Sequence, residues 1–290
     1  MSKVAILTDT NSGLCPDDEK ELGIFVMPMP MYIDDTQYYE YVDIDKPTFF
    51  DMLETAEHVT TSMPANGDLM DKLDELLEDH DEVVYIPMSS GLSSSCSTAY
   101  MIADDYDGKV HVVDNQRISV TMRLSVMEAK ALADQGKSGA EIREYLEEHK
   151  MESTIYIMVD TLKYLKKGGR LTPAVAALGT LLRIKPVLQI QGEKLDTFAK
   201  ARTIRHAKDT MLDAIENDLA HRFGSASGEG CVISISHTQN EEEALAFKAE
   251  AEARFPGHII QIDPLPLSIS CHIGPGALAI TASKSFLDSF

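Results

Sequence analysis

The chain has 290 residues, 44% of them hydrophobic, and a formal net charge of −21. That length suits two domains of ordinary globular composition. The acidic balance repels polyanions at long range and excludes nucleic acid as a natural partner. In chain order, residues 4–7 predict a short strand that stops at a polar loop, and residues 25–29 predict a weaker strand. Leu69, Leu73, Leu76 and Leu77 recur at helical spacing, so 66–80 predicts an amphipathic helix. Strands follow at 83–86 and 110–113, with helices at 93–103 and 119–135. This βαβα order predicts a parallel sheet flanked by helices. A charged helix is predicted over 137–149.

A strand at 154–159 opens what reads as a second domain. It contains an apolar helix over 173–182, strands near 187–190 and 231–235, and helices at 203–220 and 240–254. The expected fold is therefore α/β in two domains. An N-terminal Rossmann-like domain with a parallel sheet spans 1–152, and a C-terminal α/β domain spans 153–290.

No run approaches the ~20 apolar residues that cross a bilayer. The apolar stretch at 4–7 is too short for the core of a secretory signal. Cys15, Cys96, Cys231 and Cys271 form no C-x-x-C pair, which fits thiols kept reduced in a cytoplasm. There is no H-E-x-x-H, EF-hand or P-loop pattern, so no metal site or cofactor is expected.

Three polar segments stand out. Residues 88–98 (M-S-S-G-L-S-S-S-C-S-T) join a strand to a helix. Gly91 allows close backbone approach, and free N–H groups at the helix N-terminus favour an anion. Ser93 either caps that helix or donates to a carboxylate or phosphate. Residues 59–64 (V-T-T-S-M-P) offer Thr61 and Ser62 ahead of another helix, with Pro64 suited to its first turn. Residues 161–185 carry six basic groups and no acidic one in a strongly acidic protein. Gly168 and Gly169 there let the Arg170 guanidinium approach a ligand or partner closely. Arg202 alone reads as a surface arginine. His272 precedes a G-P-G turn expected to lead into the last helix.

Together these segments resemble the DegV family of fatty-acid-binding, fatty acid kinase B-type proteins. The resemblance rests on T-S-M-P at 61–64, S-S-G-L-S at 89–93, Y-L-K-K-G-G-R-L at 164–171 and L-R-I-K-P at 182–186. Arg202 with Thr203 and H-I-G-P-G at 272–276 complete it. The sequence departs from the family pattern at Ser94 and Ser95, where glycine and threonine are common, and at Thr10 and Asn115, where serine is.

The resemblance implies a lipid pocket between two α/β domains and no catalysis by the chain alone. Thr61, Ser62, Gly91, Ser93 and Ser94 would receive the fatty acid carboxylate, with His272 in the same polar network. Arg170 and Arg202, with Lys166 and Lys167, would lie near the site or on a docking face. The partner implied is a dihydroxyacetone-kinase-like subunit that supplies ATP and converts the bound acid to an acyl phosphate for phospholipid metabolism. The basic segment could also make a transient membrane contact. The competing reading is a serine hydrolase or acyltransferase with Ser93 as nucleophile and His272 as base.

Overall fold

The structure is a computed structural model and describes residues 2–170, 172–176 and 184–287. The chain begins with β1 (Val4–Asp9), a 3-10 turn at Thr10–Ser12, the short helix α1 (Glu19–Leu22) and β2 (Phe25–Met27). It then leaves this layer to form a small antiparallel sheet of β3 (Pro30–Ile33), β4 (Thr36–Tyr39) and β5 (Val59–Thr61), on which α2 (Lys46–Thr55) packs Phe49, Phe50 and Leu53. The first half closes with α3 (Asn66–Asp79), β6 (Glu82–Ile86), α4 (Ser95–Ala103), β7 (Val110–Val112), α5 (Ser119–Asp134) and α6 (Gly139–Glu148). Strands β2-β1-β6-β7 form one parallel sheet, buried on both faces as such sheets must be. Leu69, Leu73 and Leu76 of α3 cover one face, with α4 beside them, while α5 and α6 cover the other. A capping box, with Ser138 and Glu141 each accepting from the other's backbone N–H, starts α6.

The second half runs through β8 (Ser153–Met158), α7 (Lys163–Lys167), α8 (Pro173–Ala176), β9 (Lys185–Ile190), β10 (Leu195–Ala201), α9 (Ile204–His221), β11 (Cys231–His237), α10 (Glu241–Arg254), β12 (Gln261–Pro264), α11 (Leu267–Ile273) and β13 (Leu278–Lys284). They build a mixed sheet in the order β10-β9-β8-β13-β11-β12, with only β11 and β12 parallel. Leu278, Ile280 and Ala282 face the core shared with α9 and α10. Ala279, Thr281 and Ser283 face the opposite way, as the period of two requires. Arg123 of α5 reaches across to β12, donating to both carboxylate oxygens of Asp263 at 2.8 and 2.7 Å.

The mixed α/β class, with a parallel sheet in the first half, follows the sequence reading. Two local expectations do not hold. The G-P-G turn leads into strand β13, and His272 lies in helix α11 before it. Pro64 stands outside α3, which begins at Asn66. The apolar helix expected over 173–182 is described only at Pro173–Ala176; Leu171 and residues 177–183, Arg183 among them, lie outside the described residues. Among the described residues no helix is long and apolar enough to cross a membrane.

Candidate functional site

Strand β1 is followed in the sheet by β2 on one side and β6 on the other. The loops leaving the carboxyl ends of β1 and β6 therefore diverge and leave a crevice, the usual place for a ligand in an open parallel sheet. Asn11 from the first loop and Met88, Leu92, Ser93 and Ser94 from the second line a cavity of about 310 Å³. The mixed sheet and α11 supply its other wall, so the cavity lies between the two halves. Its size is at the lower end of the ~300–1,000 Å³ typical of small-molecule pockets.

One end of the cavity is polar. Thr61 at the end of β5 and His272 on α11 are 211 positions apart, yet Thr61 Oγ1 lies 2.8 Å from His272 Nε2. Burial, with Arg170 nearby, pushes the His272 imidazole down to about 4, so the ring is neutral near pH 7. Its Nδ1 is buried without a hydrogen-bond partner and faces Gly168: a Cβ there would lie 2.0 Å from it. Gly168 therefore makes room for the histidine ring. Arg170 is exposed, donates from Nη1 to the Gly168 carbonyl at 2.8 Å, and lines the cavity.

The loop before α4 closes this end. Ser93 Oγ accepts from the Ser95 N–H at 3.2 Å and lies 2.9 Å from Ser95 Oγ, while the N-cap position itself falls on Ser94 and the Ser93 hydroxyl lines the cavity. Ser94 Oγ donates to Met63 Sδ at 3.6 Å, bringing the 61–64 and 89–95 segments together. Gly91 touches the turn between β9 and β10: its Cβ would lie 2.2 Å from the Glu193 carbonyl oxygen. Ser89 Oγ donates to that same carbonyl at 3.2 Å. Gly91 borders a shallow depression of about 270 Å³, which shares Leu92, Ser93, Ser94, Arg170 and Leu195 with the cavity and adds Lys194.

Beyond the polar end the walls become apolar. Ile155, Ile157, Ile190, Ile269 and Ile273 line this stretch. Helix α11 presents both Ile269 and His272, and its placement depends on a buried relay. Glu40 accepts hydrogen bonds from the Leu267 N–H, the Ser268 N–H and Ser268 Oγ, binding the first turn of α11 to the small sheet. The single Ser268 hydroxyl hydrogen is shared between Glu40 and Asn11 Oδ1, the nearer acceptor at 2.8 Å, and Asn11 donates from Nδ2 to Asp9 at 2.7 Å. Burial raises Glu40 to about 7 and Asp9 to about 6. Cys271 points from the same helix into the core with Phe49 and Phe50.

The structure brings Thr61, Ser62, Ser93, Ser94, His272 and Arg170 onto one cavity. Lys166 and Lys167 are exposed on α7, and Lys167 donates to the Ala56 carbonyl at 3.1 Å. Arg202 is exposed between β10 and α9, outside the cavity lining. No hydrogen bond joins Ser93 to His272, which is engaged with Thr61, so a nucleophile–base pair is not assembled. Glu40, Asn11 and Ser268 were not singled out from sequence. Asn11 alone had a signal, its place in a polar loop after a strand; Glu40 and Ser268 act through contacts 228 positions apart.

The DegV family model, described as "Uncharacterised protein, DegV family", matches residues 3–285. The chain belongs to the DegV family. Protein DegV of Bacillus subtilis is 29% identical to this DegV chain over 282 residues, covering 96% of the chain and 98% of that protein. A DegV domain-containing protein of Clostridium acetobutylicum is 30% identical, covering 96% of each. Among solved structures, a DegV family protein from Thermus thermophilus, presented for its fatty acid binding, superposes with a TM-score of 0.87 at 29% identity, covering 98% of this chain and all of that one. DegV from Bacillus subtilis, presented as a fatty acid binding protein, gives 0.86 at 27%, with the same coverage.

Proposed function

We propose that this DegV chain binds a long-chain fatty acid in the cavity between its halves, with the carboxylate held at the Thr61–His272 end. The observation that carries this reading is the cavity itself: hydroxyls and a neutral histidine at one end, isoleucines beyond. Burying each CH₂ contributes ~0.8 kcal/mol before binding costs are subtracted. A carboxylate cannot be buried unpaired. With its hydrogen on Nε2, His272 donates to Thr61 Oγ1 and leaves the Thr61 hydroxyl hydrogen for a carboxylate oxygen. Ser93 and the first N–H groups of α4 give further donors. Fatty acid binding by the Thermus thermophilus and Bacillus subtilis relatives supports the assignment.

The chain itself performs no chemistry in this reading. It presents the carboxylate at the Ser93–Arg170 mouth to a separate ATP-dependent kinase of the dihydroxyacetone-kinase type in the cytoplasm, which forms the acyl phosphate. Lys166, Lys167, Arg170 and Arg202 form the docking face, because phosphoryl transfer needs cations near the transferring group. Two domains, divided after residue 152, enclose the lipid.

Native mass spectrometry of purified protein, followed by solvent extraction, tests the proposal. The expected result is a mass excess that resolves into a fatty acid. Protein that is ligand-free and also refuses added fatty acids would overturn it.

A further inference from the structure

We propose that the cavity contains a second polar subsite, centred on Ser236 and remote in sequence from the carboxylate end, that receives a hydroxyl group carried on the ligand's chain. The inference rests on the reading that a long-chain acid fills this cavity, and it names the class of acid. Strand register locates the subsite. Ile157 of β8 pairs with Ala279 of β13, which pairs with Ser236 of β11. In the neighbouring row Ile155 pairs with Thr281, which pairs with Ser234. Neighbouring strands are ~4.8 Å apart, so Ser236 stands about 10 Å across the sheet from Ile157. Over that span the face changes from isoleucine to hydroxyl. Ile155, Ile157, Ala279, Thr281 and Ser236 all line the cavity.

Small residues along a sheet can simply admit a helix, but Ser236 is not accounted for in that way. It is 1% exposed, it lies on the cavity face, and its Oγ is buried with no hydrogen-bond partner. A buried hydroxyl left unpaired is penalised, and alanine would fill the same space without that penalty. Thr281 is diagonal to Ser236, near enough for one ligand oxygen to engage both side chains. Its Oγ1 spends its hydrogen on a long 3.4 Å bond to the Ser234 carbonyl, leaving lone pairs to accept. A ligand hydroxyl, donor and acceptor at once, matches this pair: it accepts from Ser236 and donates to Thr281. Ser119 also lines the cavity, and it is held in the left-handed region at φ 56°. A plain alkyl chain would leave Ser236 unsatisfied.

The test is competition between stearic acid and a series of hydroxystearic acids, with the hydroxyl moved stepwise along the chain, on the full-length protein and on Ser236→Ala. We expect one isomer to outcompete stearic acid by about tenfold, the worth of one well-made hydrogen bond, and Ser236→Ala to bring that ratio close to one. Thr61→Ala serves as the control: it weakens both ligands and keeps the ratio. If stearic acid binds and no isomer is preferred, or if Ser236→Ala leaves the preference intact, the subsite is overturned while fatty acid binding stands. If neither acid binds, the fatty acid reading fails and the subsite fails with it.

Discussion

A Cβ on Gly168 lands 2.0 Å from His272 Nδ1, so even alanine must push the imidazole or the backbone aside. Gly168→Ala is expected to lower stability by about 1–3 kcal/mol, the usual result of overpacking, and to weaken fatty acid binding by displacing His272 from Thr61. Thermal unfolding and a binding titration read the two effects; stability lost with affinity intact would show that the ring does not serve the ligand. Thr61→Val keeps the volume and removes the hydroxyl. Its expected effect is an affinity loss of about tenfold or more, as for a hydrogen bond to a charged group, while Thr61→Ser retains most of the binding. Thr61 and Ser93 were legible in the sequence because each sits in a hydroxyl-rich loop beside a helix start. Their pairing with a histidine 211 positions away was not, since no periodicity links a strand end to a distant helix.

Helix α11 shows at the scale of an element why part of the fold escapes local reading. Its sequence, L-S-I-S-C-H-I, alternates like a strand. As a helix it has its first two N–H groups taken up by Glu40, the residue after β4, a partner that no local pattern reveals. Strand β13 follows a turn expected to open a helix, for the converse reason: its residues are small, and its pairing partners β8 and β11 are far away in sequence. The strands near residues 4, 83 and 110 were legible because apolar, β-branched runs between polar loops need no distant information. Glu40 also gives α11 a pH dependence. Its carboxyl is raised from 4.5 to about 7 by burial, partly offset by the N–H groups it accepts from. The folded chain thus holds a proton that the unfolded chain releases, and this contribution falls away as pH rises from 4.5 to about 7. His272 runs the other way, losing its contribution as pH falls from 6.5 to about 4. Relative to wild type, Glu40→Gln should gain stability as pH rises through the Glu40 window. Urea midpoints at both ends of that window check this, and a constant difference between the two proteins would rule it out.

Charge organises the whole molecule. A chain of net charge −21 keeps exposed lysines on α7 beside Arg170 at the cavity mouth. If the proposed kinase docks there, reversing Lys166 and Lys167 to glutamate is expected to slow phosphorylation of the bound acid, most strongly at low salt, where steering operates over longer distances. Fatty acid affinity, set inside the cavity, should persist. Equal loss of both activities would remove the docking role. The dependence of rate on ionic strength should flatten in the reversed protein.

Because Thr61 belongs to one half of the chain and His272 to the other, an acid bound as proposed leaves by parting them or by slipping past the Ser93 loop. Cys271, next to His272, distinguishes these routes. Its thiol is 2% exposed, and burial holds it far from the thiolate form. It can meet an alkylating reagent only when α11 lifts from the small sheet. The alkylation rate of Cys271, with the more exposed Cys15 as internal reference, is therefore a clock for the opening of the cavity. A clock slowed by added fatty acid would mean that the lipid holds its own door shut; one that ignores the lipid would place the exit at the loop.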